Sequence, residues 1–158
     1  MYFERRQYRP LGNTGLAVSP LGLGTVKFGR NTDVKYPSAF DIPDRKALSS
    51  LLAVARECGI NLIDTAPAYG HSEERLGELL KGVRNEWVIA TKVGEEYEGG
   101  VSHWNFSETS VRSSIERSLK RLQTDHLDIV LVHSNDDDVD IISSSPVLDV
   151  LEKSRDKG

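Results

Sequence analysis

The stretch LIDTAPAYGHSEERL, residues 62–76, runs an apolar strand into a carboxylate, Asp64, and sets a tyrosine, Tyr69, five residues later beside a glycine. INLID (60–64) reads as the strand. Ser72 then opens a helix with Glu73 and Glu74 in its first turn, where carboxylates suit the positive end of the helix dipole. Leu76, Leu79 and Leu80 supply a buried face, and Gly82 supplies a stop. A buried strand, a loop carrying polar chemistry and then a helix is the unit of a parallel α/β fold.

The flanking sequence alternates in the same way. YRPLGNTGLAVS (8–19) holds two short extended runs around Gly12-Asn13-Thr14-Gly15, residues that tolerate positive φ, and predicts a hairpin. PLGLGT (20–25) is a short strand ending in small residues. A polar loop with Pro37 and Pro43 leads to a helix from about 44 to 58, with Leu48, Leu51, Leu52, Ala55 and Cys58 on one face. Gly59 ends it. WVIATK (87–92) reads as a buried strand and 94–106 as a long loop. Ser107 caps a third helix, with Val111, Ile115, Leu119 and Leu122 as its stripe. LDIVLVH (127–133) is the fourth strand, and the acidic run Asp136-Asp137-Asp138 after it reads as a solvated loop. Ser145-Pro146 starts the last helix, and Gly158 stands where that helix is expected to stop.

The order is βαβαβαβα after a hairpin, with near-continuously apolar strands, as in a parallel sheet covered on both faces. Strand starts near 21, 60, 87 and 127 give about 35 residues per unit, close to the ~31 of an eight-unit TIM barrel. Four units are half of such a barrel. A four-stranded doubly wound sheet is the rival architecture.

Composition narrows the function classes. The 158 residues are 38% hydrophobic and 28% charged, the profile of a globular domain. The net charge of −4 gives no electrostatic attraction to nucleic acid or to an anionic membrane, so neither is expected as a partner. No apolar run approaches the ~18 residues a membrane span needs, and MYFERRQYRP has no apolar signal core. Cys58 is the one cysteine. It reads as a small buried hydrophobe, and a cytoplasmic location is expected. The four histidines, His71, His103, His126 and His133, show no metal-ligand spacing. GLGTVK (22–27) is not the dinucleotide fingerprint, because Lys27 takes the place of the last glycine.

The strand ends carry the chemistry. Strand two ends in Asp64, strand three in Lys92 and strand four in His133, and in a parallel α/β fold these positions share one rim. Tyr69 lies in a loop on the same rim. Each residue alone has a bland reading: Asp64 as a turn residue, Lys92 as a rim lysine, His133 as a hydrogen-bonded rim residue, Tyr69 as packing. Together they form a proton donor beside a carbonyl. A lysine ammonium near a tyrosine favours the phenolate and is expected to lower the phenol's pKa. Asp64 is expected to pair with Lys92, and His133 to hydrogen-bond a substrate oxygen. Carbonyl reduction needs such a donor when a hydride arrives from elsewhere. Trp104 and Phe106, in the loop after strand three, and Phe28, after strand one, wall a substrate pocket or cover the rim.

These residues match a family pattern. The chain resembles the N-terminal half of the aldo-keto reductases through YRPLGNTGLAVSPLGLGT, LIDTAPAYGHSEERLGELL, VIATKVG and SLKRLQTDHLDIVLVH, in the family's order. The family's Asp-Tyr-Lys-His tetrad falls on Asp64, Tyr69, Lys92 and His133. The resemblance implies a (β/α)8 barrel closed at its base by the hairpin. It implies reduction of aldehydes or ketones, or the reverse oxidation of alcohols, with NADP(H) as cofactor and NAD(H) as the alternative. Gly24, Thr25 and Asp64 are the cofactor-binding candidates it offers. On this reading residues 1–158 are the N-terminal half of a barrel, with hairpin 8–19 and four βα units over 20–158. The C-terminal half, which carries most of the family's cofactor site, lies outside them.

Other readings stay open at this point. Barrels of this family also serve as cofactor-binding regulatory subunits, and a half barrel with a relic tetrad would be an inactive remnant. Lys92 would also serve a Schiff-base aldolase if its amine were neutral. A half barrel exposes an apolar inner face and two strand edges, so the isolated chain is expected to self-associate.

Overall fold

A computed structural model describes residues 7–157. The signal-free reading of the first residues and the helix stop at Gly158 concern positions outside the described residues, wholly or in part.

Strands β1 (Arg9–Pro10) and β2 (Ala17–Val18) form the antiparallel hairpin, with Arg9 opposite Val18. Asn61 fastens it to the sheet. Its side chain accepts from the Ser19 N–H at 2.7 Å and donates to the Ala17 carbonyl at 2.9 Å. Because Asn61 precedes the second strand of the sheet, the hairpin lies at the amino ends of the strands.

Strands β3 (Gly22–Gly24), β4 (Leu62–Asp64), β5 (Val88–Val93) and β8 (Ile129–Val132) make one parallel four-stranded sheet in that spatial order. Neighbours in the sheet are consecutive βα units. A doubly wound sheet reverses its strand order at a switch point, whereas this sheet runs in one direction, as a barrel wall does. The register puts Gly24 beside Asp64, Asp64 beside Ala90 and Lys92 beside Leu131.

Helices α1 (Val26–Gly29), α2 (Arg45–Glu57), α3 (Ser72–Leu79), α4 (Glu108–Leu122), α5 (Asp138–Ser144) and α6 (Val147–Arg155) complete the chain. Asp44 caps α2 by accepting from the Ala47 N–H, and Ser107 caps α4 through Ser110. Two apolar clusters hold the layers together. One joins Phe28, Leu48, Leu52, Ile63, Leu76 and Ile89. The other joins Val93, Val111, Ile141, Val147 and Val150.

The structure departs from the sequence reading at five places. Residues 94–106 are mostly strand: β6 (Glu95–Glu98) and β7 (Val101–Trp104) pair as a hairpin. Gly99 and Gly100 form its two-residue turn, both at positive φ, the requirement of a tight hairpin turn. Asp136 and Asp137 stay in an exposed loop as read, but Asp138 belongs to α5, whose first turn also holds Asp140. Leu51 is exposed although Leu48 and Leu52 are buried, because the sheet-facing stripe of α2 is narrower than its apolar pattern. Cys58 is only half-buried. Helix α3 starts at Ser72 with no side-chain cap, and Ser72 and Glu73 are fully buried instead.

Candidate active site

The carboxyl ends of β3, β4, β5 and β8 form one rim, and the four expected residues stand on it. Asp64 closes β4, Lys92 lies one residue before the end of β5, and His133 follows β8 directly. Tyr69 ends a single 3₁₀ turn, Pro67–Tyr69, after β4. Two glycines let that turn seat against α1. A Cβ on Gly29 would meet the Tyr69 carbonyl at 2.4 Å, and Gly70, at φ 60, leaves no room for one either. Arg30 secures the turn by donating to the Ala68 carbonyl at 3.0 Å.

Lys92 Nζ donates to Asp64 Oδ2 at 2.8 Å and to the Thr65 carbonyl at 2.9 Å. The Tyr69 hydroxyl donates to Asp64 Oδ1 at 3.4 Å, and the Lys92 ammonium lies 4.8 Å from the Tyr69 ring centre. The Tyr69 and His133 ring centres are 6.2 Å apart, edge to face. Lys92 is mostly buried, while the Asp64 side chain is 41% exposed. The Lys92–Asp64 pair expected from sequence is present.

The expected fall in the Tyr69 pKa is corrected. Burial pushes the phenol up, the Lys92 charge pulls it down, and the Asp64 charge pushes it up again. The net direction is above the ordinary 10.0, because desolvation outweighs one ammonium whose charge Asp64 already balances. Tyr69 is therefore a loaded hydroxyl at neutral pH.

Three of the other sequence candidates are tied into the core or the backbone. Phe28 does not wall a pocket: α1 turns it into the core, 2% exposed. Thr25 is fully buried, and its N–H and hydroxyl both donate to the Asp64 carbonyl, at 3.0 and 2.8 Å. Its hydroxyl also accepts from Ser72. Thr25 thus fixes the backbone under Asp64 and has no donor left for a cofactor. Phe106 packs against the second core cluster. Gly24 and Trp104 stand at the rim. A Cβ on Gly24 would meet nothing within 4 Å, so open space lies beside Asp64. Trp104 is exposed at the rim, its ring centre 5.6 Å from that of His133. A cleft of about 620 Å³ opens there, lined among others by Arg30, Asn31, Ser102, Trp104, His133 and Ser134. His133 is the one tetrad residue on it.

The β6–β7 hairpin adds a residue that the sequence reading passed over. Glu95, buried at the start of β6, places Oε2 2.9 Å from His133 Nδ1. Ser102 donates to Glu95 Oε1 at 2.6 Å, and Arg30 lies 3.6 Å from the same oxygen. Burial pushes the Glu95 carboxyl up, but the contacts from His133 and Ser102 and the charges of His133 and Arg30 outweigh it. The carboxyl is held below its ordinary 4.5. The Gly99-Gly100 pair was the available signal, since it marks the hairpin that delivers Glu95 to the rim.

Comparison with known proteins gives the family. The model of the aldo/keto reductase family matches residues 20–158. L-galactose dehydrogenase of Arabidopsis thaliana is 41% identical over 135 residues, 80% of this chain and 38% of the relative. The NADH-specific methylglyoxal reductase of Escherichia coli is 36% identical over 137 residues, 78% of this chain and 40% of the relative. A crystal structure from Pseudomonas aeruginosa, described as an aldo-keto reductase, superposes with a TM-score of 0.89 at 56% identity. That match covers 98% of this chain and 57% of the other. The chain belongs to the aldo/keto reductase family, and its parallel sheet is part of that family's TIM barrel. It spans about two-fifths of the length of these two curated relatives.

Proposed function

We propose that this chain carries the proton-handling half of an oxidoreductase that interconverts a carbonyl and an alcohol. The observation behind this is the contact set Tyr69–Asp64–Lys92 at one strand rim, with His133 beside it. Tyr69 holds the proton that a reduced carbonyl oxygen must receive. Lys92 sits over the ring and favours the phenolate left behind. Asp64 holds Lys92 in place, and His133 offers a ring nitrogen to the substrate oxygen. Burial of Tyr69 keeps the proton on the hydroxyl until it is needed.

A nicotinamide cofactor would supply the hydride. The open space over Gly24 and the half-exposed Asp64 fit its nicotinamide end, whereas Thr25 does not contribute a side-chain donor. NADP(H) is the expected form by family resemblance. The relative named as NADH-specific keeps NAD(H) in the panel. The substrate is a small carbonyl compound or alcohol, and the sugar and the 2-oxoaldehyde in the relatives' names define the first candidates. The cytoplasm suits this chemistry, and among the described residues no helix is long and apolar enough to cross a membrane.

The pairing of Lys92 with Asp64 and Thr65 weighs against the Schiff-base reading, since an amine held as an ammonium is no nucleophile. A complete tetrad weighs against a purely regulatory role, because binding alone does not need the Tyr69 hydroxyl. For the 158-residue chain in isolation we infer self-association. Among the described residues, β3 and β8 each pair on one side of the sheet, and Leu131 on β8 is exposed. A monomeric elution volume with a cooperative melt would contradict that.

The test of function is NADPH and NADH consumption, by absorbance, against aldoses, 2-oxoaldehydes and simple aldehydes. It uses the protein as its source makes it. Carbonyl-dependent consumption is expected; none with any carbonyl, and none in reverse with the matching alcohols, would overturn the reading.

A further inference from the structure

We infer that Glu95 is a positioning residue that sets the tautomer of His133, holding the ring proton on Nδ1 and leaving Nε2 to face the substrate oxygen. The inference rests on the carbonyl–alcohol reading and adds to it a residue from outside the tetrad.

The geometry is specific. His133 Nδ1 is buried, and Glu95 Oε2 stands 2.9 Å from it. The oxygen lies off the line of the ring N–H, so the pair is a close polar contact rather than a well-aligned hydrogen bond. A carboxylate is an acceptor only, so a neutral imidazole facing it lowers its energy by carrying its proton on Nδ1. Which ring nitrogen is protonated follows from the partner of the other nitrogen. Glu95 is itself immobilised. Ser102, on β7 and paired with Tyr97 two residues along β6, reaches back diagonally to donate to Oε1 at 2.6 Å, and Arg30 approaches the same oxygen. Arg30 in turn is fixed by the carbonyls of Thr32, Asp33 and Ala68, and by the Tyr97 ring at 3.6 Å. Among the described residues, the titratable groups in contact with Glu95 are His133 and Arg30, and Oε2 faces the histidine.

This arrangement has a chemical consequence. Nε2 of the Nδ1–H tautomer accepts from an alcohol. When the ring takes a second proton, Nε2–H donates to a carbonyl oxygen, and the adjacent carboxylate balances the new charge. One buried pair thus serves both directions of the reaction while keeping the ring in one orientation.

Replacement of Glu95 by glutamine tests the assignment. The amide oxygen must stay with the Ser102 hydroxyl that donates to it and beside the Arg30 guanidinium, which turns the amide NH₂ toward Nδ1. A donor facing Nδ1 drives the ring proton to Nε2. Imidazole ¹⁵N shifts at mildly alkaline pH report this directly. Wild-type protein is expected to show a pyrrole-type Nδ1 and a pyridine-type Nε2, and Glu95→Gln the reverse. Turnover of Glu95→Gln is expected to fall about 10- to 100-fold, as when other carboxylate partners of functional histidines are removed. Glu95→Asp, which keeps an acceptor, should retain the wild-type nitrogen pattern.

A pyridine-type Nδ1 in the wild type overturns the inference without any variant. So does an unchanged nitrogen pattern in Glu95→Gln, or a reversed pattern with undiminished turnover. These failures are separate from failure of the functional reading. An inactive wild type would sink the carbonyl chemistry, while the tautomer is read from the nitrogen shifts alone.

Discussion

The two ends of the same four-stranded sheet each hold an aspartate paired with a cation, and the two pairs differ in what they leave free. At the amino ends, Arg84 precedes β5 and Asp128 precedes β8. Arg84 donates to Asp128 Oδ2 at 2.6 Å and to the Trp87 carbonyl, and the Ile89 N–H donates to the same carboxylate oxygen at 2.9 Å. Both side chains are nearly buried. At the carboxyl ends, Lys92 and Asp64 lie at 2.8 Å, but Asp64 remains 41% exposed and a tyrosine hydroxyl reaches its other oxygen. The first pair is closed off by main chain and stitches two strands. The second stands open to a small molecule, with a proton donor on it. An ion pair at a strand end becomes a site through what surrounds it.

The sharpest way to break this contrast is to remove the cation at each end. Lys92→Met should lower turnover by about 10²- to 10⁴-fold, the range for losing a general acid's support. Steady-state kinetics will show it, with a stability loss of only about 1–3 kcal/mol for the broken charge-assisted hydrogen bonds. Asp128→Ala should do the converse. It strands the Arg84 charge and the Ile89 N–H, costing about 3–5 kcal/mol in denaturant titration, with kcat unchanged in the protein that stays folded. Equal effects of the two changes on turnover would erase the distinction.

Two aromatic residues sharpen it further. Phe28→Ala opens a cavity in the main core and should cost about 3–5 kcal/mol of stability. Trp104→Ala, on the exposed rim, should leave stability within about 0.5 kcal/mol and raise KM. Urea melts alongside kinetics separate the two outcomes.

The pH dependences carry smaller effects, of predictable sign. Tyr69 titrates above 10.0. Reduction, which needs the hydroxyl, should hold its rate across neutral pH and decline only in strong alkali. Oxidation, which needs the phenolate, should rise with pH. Glu95 is held below 4.5. Its contribution to stability is therefore complete above that value and is lost as pH falls through its folded pKa. Melting curves of wild type and Glu95→Gln should converge in acid. Buried Glu73 has the opposite sign. Burial raises it above 4.5, against the hydrogen bond from Thr91 and the charge of Arg121. Stability should fall as pH rises through the window above 4.5, and Glu73→Gln should flatten that slope.

Much of this architecture was readable from residues alone. The alternation of apolar strands with striped helices gave the sheet and its order. A titratable residue after each apolar run located Asp64, Lys92 and His133 on one rim, because parallel strands end on the same side. The misses share one cause: roles decided by contacts between segments far apart in sequence. Phe28 follows a strand as a rim residue would, but four residues of helix turn it inward. Thr25 looks free until its donors are seen on Asp64. Glu95 stands in a run of charges that reads as a loop, and only the Gly99-Gly100 turn folds it back onto His133.

The most direct test of the central claim is Tyr69→Phe in the protein as its source makes it, with cofactor affinity and turnover measured separately. Removing the hydroxyl that donates to Asp64 Oδ1 should cut carbonyl reduction by at least about 10²-fold and leave nucleotide binding, followed by fluorescence, unchanged. Turnover equal to wild type would contradict the assignment of Tyr69 as proton donor and return the rim to a structural role.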